Sequence, residues 1–257
     1  MCCTADLSTL SDTIIYAGHQ TREGQRVQVL AYQNKAKSTG PNAMILPIPT
    51  DVPMGPDNLV DTREGGAFLG ILADALAPQY RRLSDDSLVG AASMNFGAQV
   101  VEVGSYTIVL AERLSQVREA LERVPENKRP EFSSEFLVGY GKLYPDHRFV
   151  ICCWEGELKA EPVMLWFVPR DERLFIPTMD AHDGGAPKPG WVSTDHAIIV
   201  GMGAEHHGIA IKNIRLDTTD TIMALLAPQV RRHDVAWHSP NGDTWFEDGV
   251  LHRVTLQ

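Results

Sequence analysis

Three segments in the first third of the chain restrict the fold more than any other feature. They are TIIYAGH (residues 13–19), RVQVLAYQ (26–33) and NAMILPIP (42–49). Each is rich in β-branched or aliphatic residues and too short for a free-standing helix. The separating stretches, TREGQ and KAKSTGP, carry the glycine, proline and charge that punctuate strands. Strands in such close succession predict an antiparallel meander. The same texture returns in AQVVEVGSYTIVLA (98–111), read as two strands about Gly104, and in HRFVICCW, EPVMLWFVP, LFIPT and HAIIVG.

Helical periodicity is confined to a few places. EGGAFLGILADALAPQYRRL sets Phe68, Ile71, Leu72, Ala75 and Leu76 at helical spacing, with Pro78 marking an end or kink. ERLSQVREALERV places Leu114, Val117, Leu121 and Val124 on one face and reads as the clearest helix. EFLVGYGKLYP predicts a short helix, and TTDTIMALLAPQV another with a Thr or Asp cap. The NG and DG pairs in VAWHSPNGDTWFEDGVLHRVTLQ predict turns of a terminal meander. The expected class is α+β: a largely antiparallel sheet with three or four helices on one face. One compact domain over residues 1–257 is expected, with a subdivision near 125–132 as the alternative. No fixed-period repeat or heptad run is visible.

Charge narrows the partners. With 33 acidic against 23 basic residues and a net charge of -10, the chain offers no field for a polyphosphate backbone, so nucleic acid is not expected. Arg81-Arg82 and Arg231-Arg232 are isolated pairs, read as solvated helix ends. No apolar run approaches the ~18 residues of a spanning helix, and the start lacks the pattern of a secretory signal. The expectation is a cytoplasmic protein without a membrane partner. In that compartment thiols stay reduced, and adjacent cysteines bridge each other poorly, so no structural disulfide is expected from Cys2-Cys3 or Cys152-Cys153.

Cys2 follows the initiator methionine, which is removed when the next residue is this small. The mature chain would then begin with an α-amine beside its own thiol, and an amine of pKa ~8 can take the proton of a nucleophile on the same residue. MCCT is similar to the MC start of the penicillin acylase and bile salt hydrolase group, with Asn95 in SMNFG a conceivable oxyanion donor. The competing reading is a terminal arm whose cysteines fill space. Alternation in HRFVICCW sends Cys152 and Cys153 to opposite faces of a strand, where core packing suffices. The CC spacing fails the zinc template.

A second cluster lies in LFIPTMDAHDGGAPKPGWVSTDH, where Asp180, His182, Asp183, Asp195 and His196 fall in or beside one flexible, glycine- and proline-rich loop. Two chemistries remain open. His182, Asp183 and His196 could hold a divalent metal such as zinc. Alternatively His196 could serve Cys2 as base, with Asp195 or Asp183 orienting the imidazole. GMGAEHHG repeats the theme, with His206 and His207 on opposite sides of an extended segment.

From its MCC start through NAMILPIP, VEVGSYTIVLA, EPVMLWFVPRDERLFIPTMDAHDG and the later Asp195-His196 pair, roughly residues 1–200, the chain resembles a bacterial domain family of unknown function. The resemblance implies that Cys2-Cys3, the PIP turn and the HDG…DH loop belong to one fold pattern. The leading expectation is a thiol-dependent hydrolase or transferase acting on a small molecule or peptide. A noncatalytic binding or assembly protein is the alternative.

Overall fold

The structure is a computed structural model that describes residues 3–77, 99–158 and 162–256. In chain order, β1 (Cys3–Thr4), β2 (Ser8–Arg22), β3 (Gln25–Ile48) and β4 (Leu59–Val60) precede α1 (Phe68–Ala75). Next come β5 (Gln99–Val103), β6 (Tyr106–Ala111), α2 (Val117–Leu121) and α3 (Ser134–Leu143). They are followed by β7 (Arg148–Leu158), β8 (Val163–Phe167), β9 (Leu174–Ile176), β10 (Trp191–Ser193), β11 (Ala197–Met202) and β12 (Ile209–Ala210). The last elements are α4 (Asp220–Leu225), β13 (Gln229–Asp234), β14 (His238–Pro240), β15 (Gly242–Glu247) and β16 (Val250–Thr255). The α+β class with largely antiparallel sheet is thus present, and β11 pairs in parallel with β2.

The predicted meander is there, but the break expected at KAKSTGP is not. Residues 25–48 run as one strand, and the pairing of β3 with β7 shifts register between Lys37 and Pro41. A bulge absorbs the Gly-Pro irregularity and bends the strand without ending it. The bend divides the sheet's work. Gln28–Tyr32 pairs with β8, whereas Pro41–Ile48 pairs with β7.

Alternation along the strands shows how the two halves pack. Ile15, Leu30, Tyr32, Leu165 and Ile198 from one half form a single buried cluster with Met44, Leu46, Ile108, Val150 and Trp154 from the other. Tyr16, Val29, Ala31 and Ile199 turn outward onto Phe68, Leu69 and Leu72 of α1 and Ile222 of α4. Ala43, Ile45, Val109 and Ile151 turn outward onto Val117 and Leu121 of α2 and Phe136 and Tyr140 of α3. The order is therefore helices, sheet half, sheet half, helices. Helices cover both outer faces, where the sequence suggested one, because a period-2 pattern that is apolar on both sides must be buried on both.

Local corrections have local causes. ERLSQVREALERV gives only a 3-10 turn, Leu114–Gln116, and the five-residue α2, and Pro125 after Val124 disfavours its continuation. Arg231 and Arg232 lie on β13 rather than at a helix end; Arg232 ion-pairs with Asp234 and donates to the Ala73 carbonyl in the last turn of α1. Arg81, Arg82 and Asn95 lie outside the described residues. Cys152 and Cys153 face opposite sides as predicted, one in each of two core clusters. Gly18 and Gly201 are partners across β2 and β11, and a Cβ on either would stand about 2.5 Å from the Tyr16 hydroxyl. Their absence of side chain leaves that hydroxyl room to accept from the Ala227 amide at 2.7 Å.

Candidate functional site

The site is built where β1 inserts beside β3. Cys3 and Thr4 register with Ile45 and Met44, and on the other flank Cys3 bridges in parallel to Ala181. The Thr4 amide donates to the Ala181 carbonyl at 2.9 Å, and the Ser8 amide donates to that of His182 at 3.0 Å. Cys2 lies outside the described residues. Its neighbour Cys3 is 1% exposed and directs its sulfur to the Met179 carbonyl at 3.9 Å.

The strand β1 thus fixes residues 178–183, and a buried carboxylate fixes them from below. Asp243 Oδ1 accepts from the Thr178 and Met179 amides at 2.9 and 3.0 Å, and its Oδ2 accepts from the Tyr144 hydroxyl at 2.6 Å. Asn241 accepts from the Asp180 amide and donates back to the Asp180 carbonyl, both at 2.8 Å. Asp180 Oδ1 stands 2.9 Å from His182 Nε2, close enough for an ion pair but without hydrogen-bond alignment. Arg253 reaches the Thr178 carbonyl at 3.5 Å and feels the charges of Asp243 and Asp180. Asp180 Oδ1, His182 Nε2 and Arg253 Nε are therefore buried without a hydrogen-bond partner among the described residues. Buried polar atoms in this state suit a polar ligand or an ordered water.

His196, at the head of β11, is 2% exposed. Burial holds its pKa well below the ordinary imidazole range, and the charges of Arg253 and His182 push the same way. It is thus a neutral imidazole at physiological pH, and its burial opposes the charged form. Burial also raises the Asp243 carboxyl, partly offset by its hydrogen bonds from Tyr144, Met179 and Thr178.

Asp195 and Asp183 do other work. Asp195 is exposed and accepts from the Asp12 amide at 2.6 Å, holding β2 where Asp12 has φ 53°. Asp183 is exposed and accepts from the Gly185 amide at 2.9 Å, an Asx turn. His182, Asp183 and His196 are not gathered as ligands: among the described residues no group of three or more His, Cys, Asp or Glu side chains could hold a metal ion. His206 and His207 sit in an exposed turn.

The loop expected to be flexible is tied down. Leu7 bridges Asp183, Asn241 donates to the Lys188 carbonyl, and β10 pairs with β14. Gly184, at φ 73°, would set a Cβ 2.7 Å from the Ala5 carbonyl, so only glycine lets the loop lie against β1. Sequence reading missed Tyr144, Asn241, Asp243 and Arg253. Asn241-Gly242 was expected as a turn; Gly242 instead opens β15, where a Cβ would meet the Val254 carbonyl at 2.1 Å. The Asp248-Gly249 pair does form its hairpin turn, with φ 49° and 82°.

A cleft of about 700 Å³ opens elsewhere, beside Arg22, Val27, Leu59, Asp61, Arg63 and Trp166. Among the described residues its lining contains no cysteine, serine, threonine or histidine, so size and reactive chemistry part company here. Reactive groups, not volume, define the site for chemistry. Comparison with protein-family models, curated proteins and solved structures finds no match.

The buried imidazoles give a pH prediction. Burial lowers His19 and His147 from 6.5 to about 4, and lowers His196 well below 6.5. Between those values and 6.5 the unfolded chain binds more protons, so this stability is present above 6.5 and is lost as pH falls toward 4. Asp243 acts oppositely: its raised folded pKa makes the folded chain hold the extra proton just above 3.8. Three imidazoles outweigh one carboxyl. Urea midpoints should fall steadily from about pH 7 to 5, and a flat or rising profile would show that the imidazoles are not buried neutral.

Proposed function

We propose that the chain is a thiol-dependent hydrolase or transferase, with Cys2 as nucleophile and His196 or the Cys2 α-amine as base. The observation that carries this reading is the buried, incompletely satisfied group of Asp180, His182 and Arg253, coupled to neutral His196 and joined to β1 one peptide unit from Cys2. In the proposed reaction the thiol gives its proton to the base and sulfur bonds to an acyl carbon. The bond to an amine or alcohol breaks, and the leaving group takes that proton. Water then cleaves the thioester and restores the thiol; in a transferase another nucleophile replaces water. Asp180 and His182 would polarise that second nucleophile, and Arg253 would face developing negative charge.

The substrate class is a small acyl compound or a peptide. A reducing, cytoplasmic setting belongs to this reading, because a nucleophilic thiol must stay reduced. No helix among the described residues is long and apolar enough to cross a membrane. The second reading, a binding protein without chemistry, draws on the 700 Å³ cleft, whose walls among the described residues are apolar, polar and charged.

Intact mass and peptide mapping separate the two. The purified chain should lack Met1 and begin with unmodified cysteine, and exposure to an activated acyl ester should add one acyl group at Cys2. Retained methionine would remove the α-amine as base. Absence of any acyl adduct would favour the binding reading.

A further inference from the structure

We infer that the cleft beside β4 binds a linear alkyl diamine in its doubly protonated form, the chemistry of a polyamine. Its volume of about 700 Å³ lies within the range of small-molecule pockets. Val27, Leu59, Val60, Val101 and Val103, from β3, β4 and β5, give it an apolar wall. Its charge is acidic in balance. Among the described lining residues, Glu23, Asp57, Asp61 and Glu102 stand against Arg22 and Arg63.

Which of these charges are already neutralised decides the sign of the ligand. Arg63 is held by Asp61, its Nε donating to the two carboxylate oxygens at 2.8 and 3.0 Å. Glu102 is paired with Lys128 at 3.4 Å and accepts from the Thr107 hydroxyl. Glu23 and Asp57 are exposed and make no ion pair among the described residues. Two carboxylates therefore remain open at the cleft, and a cation relieves their charge where an anion would add to it.

Arg22 marks where a cationic head sits. Its guanidinium lies over the Trp166 ring, 4.6 Å from the centroid, the arrangement in which an aromatic face attracts a cation. The indole is pinned for that role: Trp166 Nε1 donates to the Asp57 carbonyl, and the Trp166 carbonyl accepts from the Asn58 side chain, both at 2.9 Å. Asp57 thus fixes the ring and brings a carboxylate to the same cleft. Arg22 is exposed and makes no ion pair among the described residues, so a ligand ammonium can displace it at little cost. The open carboxylates stand on separate segments, Glu23 in the β2–β3 turn and Asp57 just before β4, which suits two cationic heads. The apolar wall between those segments suits the methylenes that join them. The inference stands whether or not Cys2 is a nucleophile, and its failure would leave the acyl-adduct test at Cys2 untouched.

Isothermal titration calorimetry of the full chain at low salt tests it with probes of one length: 1,8-diaminooctane, 1,8-octanediol and octanedioate. The diamine should bind at least about tenfold more tightly than the diol, and octanedioate should not bind. Joint replacement Glu23→Gln and Asp57→Asn should weaken the diamine by about tenfold while circular dichroism and melting stay unchanged, since both sites are exposed. Trp166→Leu should weaken it by about fivefold. Magnesium at equal ionic strength should not displace it. Binding of the diol or octanedioate as tightly as the diamine would overturn the inference. So would no diamine binding at millimolar concentration, binding unchanged in both variants, or ready displacement by magnesium, which would reduce the effect to general charge screening.

Discussion

Asp243→Ala is expected to destabilise the protein by about 3 kcal/mol in urea unfolding at neutral pH, the largest single stability effect in this account. The alanine would leave the Thr178 and Met179 amides and the Tyr144 hydroxyl without their shared acceptor in a buried place. Each such loss costs about 1–3 kcal/mol, partly offset by no longer burying a carboxylate whose ionisation burial already opposes. Asp243→Asn should cost much less, about 1 kcal/mol, because its remaining oxygen can still serve both amides and its new NH₂ can donate to the Tyr144 oxygen. Equal, small effects for the two variants would mean that residues 178–179 are held by something other than this carboxylate. The consequence would extend beyond stability, since Asp180 and His182 follow directly on the segment that Asp243 anchors.

That anchoring explains which parts of the protein were legible in its sequence. Strands with apolar residues on both faces announced a buried sheet, and alternation in HRFVICCW correctly divided Cys152 from Cys153. The bend in β3 was not legible, because Gly40-Pro41 signals a break equally well whether the chain turns back or bulges. Helices on two faces instead of one followed from that same bend. In the site, imidazole and carboxylate in one loop drew attention to His182, Asp180 and His196, which lie in or beside the polar cluster. Local spacing could not tell Asp180, which meets His182, from Asp195, which turns away to Asp12. Asn241, Asp243 and Arg253 stand 60 or more positions along the chain from Asp180, and only the pairing of β15 with β9 and β16 brings them near it. Nothing short-range in NGD marks a buried acceptor of two amides.

The central claim is that Cys2 is a reactive thiol served by a neutral imidazole. Its most direct test is the pH dependence of Cys2 alkylation, read residue by residue by mass spectrometry in the wild type and in His196→Ala, with His196→Gln as the better-packed control. Cys3, Cys152 and Cys153 are at most 1% exposed, and burial pushes the Cys153 thiol far above its ordinary range, so these three should stay unlabelled in the folded protein. Both His196 variants are expected to slow the reaction of Cys2 at neutral pH by about tenfold or more. Alkylation of Cys2 at a rate unchanged in both variants would contradict the claim.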